Sequence, residues 1–334
     1  MRRTFCDPAF ERIEPAVTAI IDTAWEAYTA GRKSPRTRAA GPGFADPSYE
    51  LSLEWLEARS AIAAAQARQR NAASPARVLL ICASARTDQT CPSEMSKTFR
   101  MTELAAVALR ARDIEVDRLD LSDLTAEFGR RILPCKGCVS TAMPLCHWPC
   151  SCYPNHGLRQ DNDWMNELYP RFAAAHGVMI VTPVYWYQAP AVLKLLMDRL
   201  VCADGGNPDP SSTHGKDPQR AKALEMAGWD YPRHLAGRAF AIVVHGDAAG
   251  GETLRRTLTD WLEDMQLHPA GSLALLDRYV GYYGRYAESH ESLDRDQDFQ
   301  QEVRNAALTL ADAVFALRRG AREPGSELSP PRPK

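Results

Sequence analysis

The sequence predicts an α/β fold: a three-layer sandwich built on a five-stranded parallel sheet, with a helical extension before it. Three observations carry this reading. Val78-Leu79-Leu80-Ile81-Cys82, Gly177-Val178-Met179-Ile180-Val181 and Ala239-Phe240-Ala241-Ile242-Val243-Val244 are short, unbroken apolar runs, the pattern of strands buried on both faces. Stretches of helical periodicity separate these runs. Strands that alternate with helices imply right-handed crossovers and a parallel sheet covered on both sides.

Taken in order, residues 1–75 form the extension. Phe10, Ile13, Val17, Ile20, Ile21, Ala24 and Tyr28 recur at helical spacing. A Gly/Pro/Arg/Lys-rich loop at 31–47 follows, and Leu51, Trp55, Leu56 and Ile62 mark a second helix ending near Asn71. Neither helix carries a chemical motif, so both are expected to pack on the main domain or on a partner subunit. The main domain spans 76–317. Its strands are expected at 77–82, 114–121, 177–181, 239–244 and 272–280. Its helices are expected at 96–112, 163–176, 191–202, 252–265 and 300–317. A cysteine-rich loop at 133–157 and a Gly/Pro/Asp-rich insertion at 203–237 with a short helix interrupt it. The tail, 318–334, reads as disordered.

With 334 residues the chain can bury a sizeable core. It is 45% hydrophobic and 25% charged, ordinary globular values. A net charge of -2 argues against a nucleic-acid partner. No apolar stretch reaches the roughly 18 residues of a membrane helix. Arg2-Arg3 is followed by Asp7, Glu11, Arg12 and Glu14 rather than by an apolar signal core, so the expectation is a cytoplasmic protein. In a reducing compartment, clustered cysteines read as metal-binding or redox-active rather than as structural disulfides.

Ligands of such sheets bind beyond the carboxyl ends of the strands, which singles out three loops. The first runs from Ser84-Ala85-Arg86-Thr87 to Ser96-Lys97-Thr98 at a helix start. Backbone N–H groups, hydroxyls and the Arg86 fork suit a phosphate there; the bland alternative is a polar turn with a serine N-cap. No Walker A or G-x-G-x-x-G sequence is present, which disfavours a nucleoside triphosphate or a Rossmann-bound dinucleotide. The second loop, Pro183-Val184-Tyr185-Trp186-Tyr187, offers aromatic surface to a flat ring, or simply an interface. The third, His245-Gly246-Asp247-Ala248-Ala249-Gly250, lets backbone approach a ligand closely. His245 has no partner visible in the sequence and reads more readily as a strand-end residue than as a ligand contact.

The ordered set Ser84-Ala85-Arg86, Ser96-Lys97-Thr98, Pro134-Cys135-Lys136-Gly137-Cys138, Thr182-Pro183-Val184-Tyr185, Leu193-Lys194 and Met197-Asp198-Arg199-Leu200 resembles the NADPH-dependent FMN reductase family of the flavodoxin-like superfamily. Within it, the chain is most similar to the iron–sulfur flavoprotein branch. The resemblance covers about residues 77–290. It implies a flavodoxin-like fold and bound FMN, with the phosphate at Ser84, Arg86, Thr87, Ser96, Lys97 and Thr98. It places the ring against Pro183, Val184, Tyr185, Trp186 and Tyr187 and against His245, Gly246, Asp247 and Gly250. It further implies NAD(P)H as hydride donor, a small-molecule electron acceptor such as a flavin or quinone, and a homo-oligomer. One departure is an extra stretch, 88–94, inside the first loop.

The other departure is in the cysteines, five of which fall within 135–152. Cys135 and Cys138 match the branch's first pair, but the next position of that rhythm is Thr141; Cys146, Cys150 and Cys152 come later. These five thiols could hold a 4Fe–4S cluster or zinc, or fill a rigid flap as plain thiols. A non-enzymatic, zinc-binding module and an electron carrier to a protein partner are the alternatives to a flavin reductase. His147, Trp148, Tyr153 and His156 could line a substrate pocket or anchor packing. Asp198 and Arg199 are expected to form an exposed ion pair at a helix end.

Overall fold

The computed structural model describes residues 1–86 and 94–320, and the architecture is flavodoxin-like. The extension comprises α1 (Glu14–Thr29), a two-stranded ribbon of β1 (Thr37–Ala39) and β2 (Glu50–Ser52), and α2 (Leu53–Arg70). β1 lies where the sequence suggested a loop, and β2 takes Leu51, which the sequence placed in the second helix. The ribbon's strands have three residues each, too short for a periodic signal. Ser52 caps α2 by accepting a hydrogen bond from the Trp55 N–H at 3.1 Å.

The main domain then runs β3 (Arg77–Cys82), α3 (Lys97–Arg110), β4 (Glu115–Asp120), α4 (Asp123–Ala126), α5 (Met165–Ala174), β5 (Gly177–Pro183), α6 (Ala191–Arg199) and α7 (Pro218–Met226). It continues with β6 (Ala239–Gly246), α8 (Gly251–Asp264), β7 (His268–Pro269), β8 (Leu275–Tyr279), α9 (Ser289–Arg295) and α10 (Gln297–Arg318). The sheet order is β4-β3-β5-β6, and every pairing is parallel. The far edge of β6 is shared by β7, opposite Ala239 and Phe240, and by β8, opposite Ile242 to Gly246. The expected fifth strand is thus two short pieces. Pro269 cannot donate to a ladder, and Gly271, at φ +153°, opens a 3-10 turn over Ser272–Ala274 before pairing resumes.

The sheet's pleat sends alternate residues to opposite cores. Leu79 and Ile81 pack with Leu168, Phe172, Leu193 and Leu258 on one face. Val78 and Leu80 pack with Met101, Leu109, Leu310 and Val314 on the other. Each fully buried aliphatic side chain of this kind stabilises the fold by roughly 1.5–3 kcal/mol. The closing helix reaches Arg318, whose guanidinium donates to the Ala72 and Ser74 carbonyls. The disorder suggested for the tail concerns, from 321 onward, positions outside the described residues.

The extension, the cysteine loop and the insertion interlock. Asn207 donates its backbone N–H to the Cys146 carbonyl at 2.6 Å, and Trp148 returns one to Asn207 at 2.9 Å. From the extension, Ala45 and Asp46 donate backbone N–H groups to Asp209 and Ser211 at 2.7 and 3.0 Å. Among the described residues no helix is long and apolar enough to cross a membrane.

Candidate flavin site

The three flagged loops all leave the carboxyl ends of β3, β5 and β6, which lie side by side. In the first, Ser84 is buried and its Oγ accepts from the Arg86 N–H at 3.1 Å, which turns the chain sharply after the strand. Ser96 caps α3, accepting from the Phe99 N–H at 3.0 Å. The Lys97 and Thr98 N–H groups ahead of it make no hydrogen bond among the described residues. They stand at the positive end of a fourteen-residue helix, where the first N–H groups have no partner within the helix itself. The Arg86 guanidinium stands beside them, its buried Nε without a partner. Thr87 lies outside the described residues.

In the second loop Pro183 and Val184 are buried strand ends, while Tyr185, Trp186 and Tyr187 are 40%, 91% and 60% exposed. Tyr185 and Gln188 exchange backbone hydrogen bonds at 2.9 Å, and Trp186 and Tyr187 between them have φ of +47° and +66°. That is the two-residue hairpin of a type I′ turn, which favours Asn-Gly. Two large aromatics there are strained, and such strain collects at binding sites.

The third loop packs on the second. A Cβ on Gly250, at φ +111°, would come within 2.9 Å of the Tyr187 Cα, so glycine alone permits this approach. His245 is buried, and its Nε2 meets the Thr98 hydroxyl at 3.0 Å, tying the third loop to the first. Burial, with Lys97 nearby, lowers its pKa to about 4, so the ring is neutral near pH 7. The sequence showed no partner for His245; the partner is 147 positions away. Its engaged ring makes it a strut of the site rather than a free donor.

One contributor was missed. Tyr286 brings its ring to 5.3 Å from the Lys97 Nζ and its hydroxyl alongside the Asp247 carboxylate. Burial and that carboxylate raise the Tyr286 pKa. The signal was legible: four tyrosines fall between 279 and 286, just after the last strand.

These features fit a phosphate-bearing planar group. Free N–H groups, a guanidinium and a capped helix start suit the phosphate. Glycines admit a ring edge to the backbone, and exposed aromatics offer it faces. Residues 76–279 match the family described as NADPH-dependent FMN reductase. The chain belongs to that family. It is accordingly a flavin-dependent oxidoreductase, with FMN as the supported cofactor. No curated protein sequence matches it. Among solved structures, the chain is similar to RosB with the bound intermediate 8-demethyl-8-formylriboflavin-5'-phosphate, at 14% identity and TM-score 0.51, over 73% of this chain and 81% of that one. An oxidoreductase from Corynebacterium diphtheriae is 14% identical, TM-score 0.40, over 72% and 97%. The apo form of the NADH:FMN oxidoreductase EMOB is 16% identical, TM-score 0.37, over 73% and 89%. At these identities the likeness shows the fold alone.

The cysteine loop is a different environment. Cys146 and Cys152 are buried, and Cys135, Cys138 and Cys150 half-buried. The Cys138 thiol lies beside those of Cys146 and Cys152 and 3.7 Å from the Lys216 ammonium. Hydrogen bonding with Cys146, then burial, pushes Cys138 up to about 11. Cys152 and burial push Cys150 well above its ordinary value. Among the described residues no group of three or more His, Cys, Asp or Glu is placed to hold a metal ion. Cys138 hydrogen-bonds with Cys146 and Cys152, and Cys150 with Cys152, so the thiols as arranged bond one another rather than converge on one ion, which does not fit a cluster or zinc.

Nor do the neighbouring rings line an open pocket together. His147 is fully buried between the Ser151 and Thr213 hydroxyls. Trp148 is buried, stacked on His234 at 5.0 Å. Tyr153 donates to the Pro134 carbonyl at 2.7 Å, and His156 sits 3.4 Å from Glu54. The expected Asp198–Arg199 ion pair is also corrected. Asp198 pairs with Lys194 one turn back, whereas Arg199 turns inward to Asp163, both side chains 1% exposed. Consecutive residues point about 100° apart around a helix, enough at the rim of the buried face for one to reach solvent and the other the core.

Proposed function

We propose that the chain is an FMN-dependent NAD(P)H oxidoreductase, reducing a small-molecule acceptor such as a flavin or quinone. The observation that supports this best is the junction of the three strand-end loops. Gly250 abuts Tyr187, His245 bonds Thr98, and Tyr286 bridges Asp247 and Lys97, all around helix N–H donors that have no partner among the described residues. Bound FMN would supply the hydride and electron transfer, so no protein acid or base is required at the reacting atom.

The protein's part is to bind and orient. Arg86 and the Lys97 and Thr98 N–H groups would hold the phosphate, with Ser84 fixing the turn that presents Arg86. Gly246 and Gly250 would let backbone approach the ring, and Tyr185, Trp186 and Tyr187 would flank it. A neutral His245 would keep the first and third loops in register. The reading takes the chain to act in the cytoplasm, and as a homo-oligomer, the latter as the family resemblance implies.

The test is an absorbance spectrum followed by an NAD(P)H oxidation assay. The purified protein is expected to be yellow, or to become so with FMN, and to consume NADH or NADPH when an acceptor is present. Colourless protein that takes up no FMN would sink the reading.

A further inference from the structure

A cleft of about 590 Å³ opens beside the Trp148-Pro149 corner of the cysteine loop. It shares no residue with the three strand-end loops. The β1–β2 ribbon, α2, the Trp148-Pro149 corner and the insertion build it. The family match begins at residue 76, so the ribbon and α2 are additions to the family's domain.

Its lining has two parts. Phe44, Leu56, Ile62 and Pro149 make an apolar floor, continued by the flat stack of Trp148 on His234, the two rings 10° from parallel. Arg38 and Arg59 make a cationic rim, and no Asp or Glu lines the cleft. Neither arginine has an ion pair or a hydrogen bond among the described residues. Arg59 is nonetheless held in place, its guanidinium 4.5 Å above the Phe44 ring and 6.0 Å from that of Trp55. Stacking of this kind leaves the in-plane N–H fork free for an anion.

A third observation points to a ligand. Trp148 is 4% exposed, and its indole N–H has no hydrogen-bond partner among the described residues. A buried tryptophan usually satisfies that donor. By contrast the half-buried His234 beside it donates from Nε2 to the Gly206 carbonyl at 2.7 Å.

We propose that this cleft is a second binding site, separate from the flavin, for a planar aromatic carboxylate. The rings of His234 and Phe44 offer stacking surface, the two arginines neutralise the carboxylate, and the volume is that of a small-molecule site. A preformed pocket with a stacked, pre-oriented guanidinium loses little entropy on binding.

The experiment is isothermal titration of the full, FMN-saturated chain with naphthoate. Saturable binding at one site is expected. Naphthalenemethanol, which keeps the rings and lacks the charge, should bind about tenfold more weakly or worse. Arg59→Ala should weaken naphthoate by about tenfold while leaving the flavin spectrum and the thermal midpoint unchanged, since the side chain is exposed. Trp148→Phe adds a check on the indole donor and should weaken binding without abolishing it. Absence of saturable binding would overturn the proposal, as would equal affinity for wild type and an Arg38→Ala/Arg59→Ala double variant. Displacement of naphthoate by added FMN would place it in the flavin site and overturn the proposal equally.

Discussion

The strand-end loops and the cysteine region lie on one chain and treat polar groups in opposite ways. At the sheet's carboxyl end, charged and aromatic groups are exposed or, among the described residues, unpaired: the Arg86 Nε, two helix N–H groups and Trp186 at 91% exposure. Around the cysteine loop, polar groups are buried and mostly matched. Arg199 grips Asp163 and the Leu133 carbonyl, His147 lies between two hydroxyls, and Asn207 spans two segments. A surface that must accept a ligand keeps donors unspent and tolerates strain; one that only holds segments together uses its donors internally. Chemistry-bearing residue types therefore do not by themselves mark a site. The thiols drew more notice in the sequence than Lys97 or Gly250, yet the loops hold the free groups.

The contrast can be broken most sharply at Asp163. Asp163→Ala strands Arg199 as an uncompensated buried charge and is expected to destabilise the fold by about 3–5 kcal/mol. Urea unfolding measures this, and FMN affinity of the folded protein should be nearly unchanged. A loss below about 1 kcal/mol would show that the pair is not truly desolvated.

Next in size is the pH response of His245. Its folded pKa, about 4, lies below the ordinary 6.5, so between these values the unfolded chain binds the extra proton. Stability is therefore full above about pH 6.5, falls as pH drops toward 4 and loses no more to this group below that, a total of about 3 kcal/mol. His245→Gln should flatten that part of the stability–pH curve. His176, also lowered to about 4 by burial, then sets what remains together with His147, held well below its ordinary value by burial, and with His234 and His290, also lowered by burial.

Arg86→Ala should weaken FMN about tenfold or more, the scale of one charge-assisted hydrogen bond, with little change in the thermal midpoint. An equal loss of both would mean that Arg86 supports the loop rather than the ligand. A smaller effect is expected of Trp186→Asn with Tyr187→Gly, which installs the residues that a type I′ turn prefers. Stability should rise by about 1 kcal/mol while FMN affinity falls, which differential scanning calorimetry and flavin titration separate. Lys194→Ala removes only an exposed pair one turn apart and should shift stability by less than about 0.5 kcal/mol.

Much of the fold was legible because burial leaves a periodic trace. The runs in β3, β5 and β6 are apolar at nearly every position because helices cover both faces, and no other element of this length looks the same. The site was legible only as loops. Ser84, Ser96 and the glycines of 246–251 follow strands, and strand ends are where a parallel sheet binds ligands. Tyr286 escaped because its own loop follows the edge strand, whose second half alone forms a regular ladder.

The sequence by itself determined the alternation of strands and helices, the order of the three loops and the family they belong to, since each depends on local pattern. Only the tertiary structure decided which polar residues are free. Thr98 finds His245, Arg199 finds Asp163, Tyr187 meets Gly250, and the thiols face one another, across separations of 147, 36, 63 and as few as 2 positions. Pairing at such distances follows from how the layers pack, and a hydrogen bond or a charge leaves no periodic trace in the chain that makes it.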